Sequence, residues 1–266
     1  VLPRAASPAL ARALGAFAVL LTGCGGSAGA LRPSSSSSAS RAKAAPPHAS
    51  SQAAASSKVT FQFVPDATQP GALERPPIHR WPIPYGATRR REMVAYSLRH
   101  YGEDTYVLRN PKVIVEHYTE TTTAREVFNT FAPDVPDSEF HELPNTCAHF
   151  LIEPSGRIDE LVAPTLRCRH TTGLNWTAIG IENVGLSDRQ VLGDRAQLRA
   201  SLQLTRWLRC RYAIALANVI GHNESLSSPY HHDLVQAFRH QTHSDFNRAD
   251  MNRYRAMLSR LPCPSA

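Results

Sequence analysis

The 266-residue chain is 42% hydrophobic, enough for the core of one domain of ordinary size, which excludes a protein disordered along most of its length. Its formal net charge of +7 does not signal nucleic-acid binding. Six of the 29 basic residues (Arg4, Arg12, Arg32, Arg41, Lys43 and Lys58) stand in residues 1–58, which hold no acid, leaving 23 bases against 22 acids elsewhere. No nucleic-acid partner is expected.

Residues 1–24 have the logic of an export signal, with Arg4 and Arg12 ahead of an apolar run, residues 13–21, that is too short to span a bilayer as a helix. The run ends in Leu21-Thr22-Gly23-Cys24, which resembles the bacterial lipoprotein box. That resemblance implies acylation of Cys24, a membrane anchor and residence in the cell envelope. The alternative is an ordinary cleaved signal with an incidental cysteine. Residues 25–58 are rich in Ser, Ala and Pro and hold no acidic or aromatic side chain, so they read as a disordered tether. Residues 59–108 form an N-terminal arm and helix: a proline-rich extended stretch to about residue 87, then helical spacing of Met93, Val94, Ser97 and Leu98 over residues 88–101.

The main domain is expected over residues 109–266. β-Branched and apolar runs predict buried strands at 112–117, 148–152 and 178–183, and residues 157–162 complete a hairpin after the turn Pro154-Ser155-Gly156. Val191, Leu198, Leu202, Thr205 and Leu208 predict one long helix over 188–212 with Ser187 as its N-cap. A short strand at 217–220 leads into Gly221-His222, and residues 251–261 form a closing amphipathic helix. Strands separated by helices indicate an α/β class with a mixed central β-sheet flanked by helices. Beyond Cys24 the cysteines are Cys147, Cys168, Cys210 and Cys263. An even number in an exported chain indicates two disulfides, with three connectivities open; metal binding is the alternative, but no pair has C-x-x-C spacing.

Most of the twelve histidines are bland, and position selects the others. His117 ends a strand, His222 follows another, and Asp245 lies in the loop Thr242-His243-Ser244-Asp245-Phe246. Two imidazoles and a carboxylate leave a tetrahedral zinc one open position, as hydrolytic sites require. Spacing alone does not establish such a site, because no HExxH helix fixes two ligands on one face.

Residues 112–262 resemble the type 2 N-acetylmuramoyl-L-alanine amidase family, which is similar in fold to phage T7-type lysozymes and peptidoglycan recognition proteins. The matching blocks are Val113-Ile114-Val115-Glu116-His117-Tyr118-Thr119, Ala148-His149-Phe150-Leu151-Ile152 with Gly156 and Ile158, Ile179-Gly180-Ile181-Glu182-Asn183, Val219-Ile220-Gly221-His222, and Thr242-His243-Ser244-Asp245-Phe246. The resemblance implies zinc ligands at His117, His222 and Asp245, a catalytic Glu182, oxyanion support from His243 and a substrate contact at His170. It further implies hydrolysis of the amide between N-acetylmuramic acid and L-alanine by a zinc-activated water, with peptidoglycan or muropeptides as partner. A monomer is expected, with the oligomeric state left open by the sequence. Alternatives stay open: His243 in place of Asp245 as ligand, a non-catalytic peptidoglycan-recognition module, or a zinc peptidase acting on the stem peptide. Asn223 and Glu224 are candidates to orient a ligand or cap a turn, and His231-His232 reads as loop surface. Ala148 stands where some phage-type relatives have a tyrosine, so the proton work falls to Glu182.

Overall fold

The computed structural model describes residues 73–264. Cys24, the tether and the arm up to residue 72 lie outside the described residues. Among the described residues no helix is long and apolar enough to cross a membrane.

Six strands form one mixed sheet: β1 (Ile78–Arg80), β2 (Val113–Tyr118), β3 (Phe150–Ile152), β4 (Ile158–Glu160), β5 (Ala178–Asn183) and β6 (Val219–Gly221), in the order β1-β4-β3-β5-β2-β6. β2, β3, β5 and β6 run parallel, β4 turns back antiparallel to β3 as the expected hairpin, and β1 pairs parallel to β4. The helices are α1 (Ala87–Tyr101), α2 (Ala124–Phe131), α3 (Asp188–Gly193), α4 (Arg195–Arg211) and α5 (Arg248–Leu258).

The period-2 alternation of β2 and β5 divides the sheet into two chemical faces. Ile114, Ile179 and Ile181 join Phe150 and Ile152 in a core closed by Leu204 and Leu208 of α4 and Met251, Tyr254 and Leu258 of α5. On the other side, Val127 and Phe131 of α2 pack with Leu151, Leu161 and Val184. The parallel central strands are therefore buried on both faces, which explains their near-continuous apolar sequence.

The structure corrects the reading of 188–212 as one helix. α3 and α4 are separated at Asp194, which is extended (φ −80°, ψ 114°) and whose carboxylate accepts from the N–H groups of Ala196 and Gln197. An Asp at that position is better used as an N-cap than as a helix interior residue. Ser187 caps α3 as expected, accepting from Gln190 N–H. The last helix begins earlier than predicted, capped by Asn247, and the 148–152 strand is shorter, starting at Phe150. Of the three connectivities, the disulfides are Cys147–Cys168 and Cys210–Cys263; the first joins the segments entering β3 and the loop before β5, the second ties the chain end to α4.

A carboxylate sits inside the main core within a cluster of buried polar side chains. Glu116 is fully buried and accepts hydrogen bonds from Thr205 Oγ1 (2.7 Å), Tyr254 Oη (3.0 Å) and Asn183 Nδ2 (3.0 Å), linking β2 to β5, α4 and α5. Burial pushes its carboxyl up, and those three donors partly oppose the shift. Glu116→Ala should strand all three donors and cost about 3 kcal/mol, whereas Glu116→Gln, which keeps an acceptor, should cost about half of that or less. Urea denaturation reads the difference; equal losses for the two variants would remove the network as the cause.

Candidate metal centre and groove

His117 and Glu182 are direct register partners on the paired strands β2 and β5, so both side chains leave the same face of the sheet. Glu116, one residue earlier, points to the opposite face. β6 runs on the other side of β2, and Gly221 delivers the chain to His222 under the crossing backbone of Phe246. A Cβ at Gly221 would lie 1.9 Å from the Phe246 carbonyl oxygen, so only glycine permits this approach. The 242–247 loop is pinned from two sides. Asn223 N–H donates to the Asp245 carbonyl (2.9 Å), and the Asp188 carboxylate accepts from the N–H groups of Phe246 (2.8 Å) and Asn247 (2.9 Å).

These constraints bring His117, His222 and Asp245 together, all three buried, with candidate ligand atoms within 4.8 Å of one another. His117 Nδ1 lies 3.1 Å from Asp245 Oδ2 and His222 Nδ1 3.4 Å from Oδ1. Burial pushes the Asp245 carboxyl up, but the two imidazoles outweigh it and hold the group ionised, far below the usual carboxylate range. Burial pushes His222 down to about 4, which keeps it neutral and a ligand in waiting. Burial also disfavours a charged His117, yet the carboxylates of Glu182, Asp245 and Glu116 lift its pKa above the ordinary value, so the position attracts a cation or a proton.

The far side of His117 fixes its tautomer. His117 Nε2 is 3.2 Å from His170 Nδ1 and 3.3 Å from Thr171 Oγ1, and His170 Nε2 in turn faces the Ala178 carbonyl oxygen at 3.4 Å. Burial and the neighbouring imidazoles His117 and His149 hold His170 well below the ordinary histidine range, so it is neutral. With His170 donating from Nε2 to Ala178, its Nδ1 accepts from His117 Nε2–H, which leaves the His117 Nδ1 lone pair free on the Asp245 side. Two oriented imidazole nitrogens and one ionised carboxylate fit a zinc ion, with room for a further ligand from the groove.

His117, His170, Glu182, His222, His243 and Asp245 all line one open groove of about 650 Å³. Its wall away from the metal group is built by Val127, Phe131, Val135 and Pro136, beside the polar Thr121, Thr130 and Asn145. Glu182 stands at the floor with Oε2 buried and unpartnered. Burial raises its pKa to about 7; the charge on His117 opposes the shift, and Asp245, Glu116 and Glu120 add to it. His243 is 44% exposed and stacks flat on His222 (ring centroids 4.6 Å, 3°), its Nε2 turned 3.1 Å from Glu139 Oε2. Asp245 rather than His243 thus completes the three-residue group. His170 reaches the groove but stands chiefly behind His117. Asn223 is a loop clamp, also bonding the His243 carbonyl through Nδ2, and Glu224 pairs with Arg255. His231, read as surface, is in fact half-buried against Gly173, while His232 is exposed. Thr171 and Glu139 carry no motif that singles them out in sequence; only their contacts do.

Residues 108–245 match the family described as N-acetylmuramoyl-L-alanine amidase. Among solved structures, the chain is similar to the endolysin N-acetylmuramoyl-L-alanine amidase LysCS from Clostridium intestinale URNW (18% identity, covering 70% of this chain and 98% of that one, TM-score 0.43). It is similar also to a selenomethionine AmpD derivative (18%, 70% and 99%, 0.44). A third is the E. coli amidase AmiD in complex with the substrate anhydro-N-acetylmuramic acid-L-Ala-D-γ-Glu-L-Lys (23%, 46% and 54%, 0.35). No curated protein matches the chain.

The geometry makes the ligand set testable by zinc titration of the metal-stripped protein. His117→Ala, His222→Ala and Asp245→Ala should each abolish tight binding and His243→Ala should retain it, while His170→Ala should weaken it by about 10–100-fold through loss of the His117 tautomer. Zinc binding lost with His243 but kept without Asp245 would reverse the assignment.

Proposed function

Because the chain belongs to the N-acetylmuramoyl-L-alanine amidase family, we propose that it hydrolyses the amide between N-acetylmuramic acid and the L-alanine of the stem peptide, with one zinc ion held by His117, His222 and Asp245. The observation that carries this reading is the unpartnered Glu182 carboxylate, with a pKa near neutrality, on the register partner of a candidate ligand. A zinc ion, when bound, supplies Lewis acidity that polarises a carbonyl and lowers the pKa of a water molecule.

The residues supply the rest. Glu182 takes a proton from the attacking water and returns it to the leaving alanine nitrogen, a double duty that suits a carboxyl titrating near the working pH. His243, stacked on the His222 ring, offers to the oxyanion of the tetrahedral adduct the Nε2–H that faces Glu139 in the free enzyme. His170 and Thr171 hold His117 in its ligating tautomer. The apolar wall of Val127, Phe131, Val135 and Pro136 excludes water from one side of the scissile bond.

Glu182→Gln should retain zinc and lower kcat by about two to four powers of ten. Near-normal turnover of purified peptidoglycan by this variant would remove Glu182 from the mechanism. Products carrying a new free amino group on L-alanine support the amidase. Cleavage between amino acids would indicate the stem-peptide peptidase, and binding without any cleavage the recognition module.

The reading extends to the chain's location. The export-type segment and the lipoprotein-like Leu21-Thr22-Gly23-Cys24 support an acylated, membrane-anchored enzyme that reaches the wall on the 25–58 tether. Cys24→Ala should then move the protein from the membrane to the soluble fraction of the producing cell; unchanged membrane retention would refute the anchor.

A further inference from the structure

One end of the groove is walled by two loops, residues 132–149 ahead of β3 and residues 228–247 ahead of α5. The first contributes Val135, Pro136 and Glu139 to the groove, the second His243 and Asp245. They touch at the rim, where Glu139 accepts from Gln241 Nε2 (2.8 Å) and faces His243. Behind the rim, Phe140 packs edge-on against Phe238 (ring centroids 5.0 Å), and one imidazole stands between a carboxylate of each loop.

His100, in the last turn of α1, is 0% exposed. Its Nδ1 lies 2.9 Å and 3.1 Å from the two carboxylate oxygens of Asp233 in the second loop. Its Nε2 lies 3.0 Å and 3.2 Å from those of Glu142 in the first. A neutral imidazole carries one N–H and can donate to only one of these carboxylates; an imidazolium donates to both. The surrounding groups are consistent with that charge. On α1, Tyr96 stacks on the ring at 4.0 Å, Tyr101 tilts against it, and Arg99 pairs with Glu142. From the segment before β5, Arg169 approaches Glu142 at 3.6 Å and binds Asp137. From the second loop come Asp233, whose Oδ1 also accepts from Val235 N–H, the ring of Phe238, and the Arg239 guanidinium, which donates to the Asp233 and Leu234 carbonyl oxygens rather than to a carboxylate. Asp137 and Glu142 are thus paired with Arg99 and Arg169, while the Asp233 carboxylate has His100 as its ion-pair partner. His100 lies upstream of residues 108–245, the part that matches the family.

We infer that His100 is a positioning residue of the groove: as an imidazolium it bolts the loop carrying Glu139 to the loop carrying His243 and Asp245, and losing its proton releases that wall and weakens substrate binding. Burial opposes the charge, but the bonds and charges of Asp233 and Glu142 outweigh burial and raise the pKa above the ordinary 6.5. A raised folded-state pKa means that the stabilisation is fully present below pH 6.5 and is lost as pH rises through the folded value. The kinetic part of the inference rests on the amidase reading; the loop closure does not.

The test is amide hydrogen exchange on the zinc-loaded full chain from pH 6 to 9.5, corrected for intrinsic rates, with the His100 ring titrated by NMR and KM and kcat measured on a muropeptide. In the unmodified protein, residues 134–142 and 233–241 should lose protection along the same titration as His100, with KM rising about tenfold along it, whereas the pH dependence of kcat follows the Glu182 carboxyl. His100→Gln cannot span both carboxylates, so its loops should be open at every pH. Glu142→Gln lets a neutral imidazole donate to Asp233 and accept from the new amide, so its loops should stay closed to high pH and the step should vanish. A pH-independent protection pattern in the unmodified protein, or an unchanged step in Glu142→Gln, overturns the inference. If His100→Gln does not fold, the other two titrations decide. Absence of hydrolysis with the exchange step intact would count against the amidase reading alone.

Discussion

The site depends on the parallel register of β2 against β5. Pairing His117 with Glu182 puts a candidate ligand and a candidate proton carrier on one face at adjacent-strand distance, and the period of 2 sends Glu116, Ile114, Ile179 and Ile181 to the other. A slip of one residue would move Glu116 into the groove and bury His117 against α4 and α5. The apolar side of the register is what forbids it. Ile114, Ile179 and Ile181 must face Leu204, Leu208 and Leu258, and the Glu116 network with Thr205, Tyr254 and Asn183 admits a carboxylate at one place only. Core packing therefore sets the active-face geometry, and the two faces of a single strand cannot be changed independently.

Three carboxylates surround His117 and are held in three different states by their environments. Glu116, fully buried and surrounded by neutral donors, is pushed up; Glu182, at the floor of the groove with Oε2 unpartnered, is poised near 7; Asp245, at the same groove but bonded to two imidazoles, is held ionised. Burial is common to all three, so it is the partners that separate the roles. A structural carboxyl, a candidate proton carrier and a candidate ligand are thereby distinguished around one imidazole without any change of residue class beyond Glu and Asp.

The parts of this arrangement legible in sequence were those with local signals. β-Branched runs marked β2 and β5, Gly221-His222 after an apolar run marked a strand end, and the order of the blocks led to the ligand trio. α2 also carries a local signal, absent from the predicted elements above: Thr123-Ala124-Arg125-Glu126 is a capping box, and in the structure Thr123 and Glu126 cap each other's backbone N–H. The break at Asp194 was hidden because apolar residues continue on both sides of it, and periodicity sees the residues, not the cap. β1 was hidden because Ile78–Arg80 acquires strand character only by pairing with β4. His100 was beyond local reading altogether: a lone histidine in an amphipathic helix is ordinary, and its partners lie 42 and 133 residues away.

The elements outside the family match bear on the groove through the same logic. α1 holds the 132–149 loop at both ends. Arg89, 1% exposed, donates to the carbonyl oxygens of Pro84, Phe131 and Pro133 and to Asp134, and His100 reaches Glu142. Arg169, from the segment that also carries His170, donates to the carbonyls of Glu142 and Pro144 and to Asp137 in the same loop. The middle of that loop, residues 133–143, places no side chain in the core clusters and is ordered by buried guanidinium and imidazole donors that would be costly to leave unpaired. The central strands and the candidate metal group lie within the family-matched residues 108–245, but the wall against which a substrate would lie is held largely by a helix that precedes it. Differences in substrate preference between this chain and its relatives should therefore be sought in α1 and the loop it anchors before they are sought among the candidate ligands.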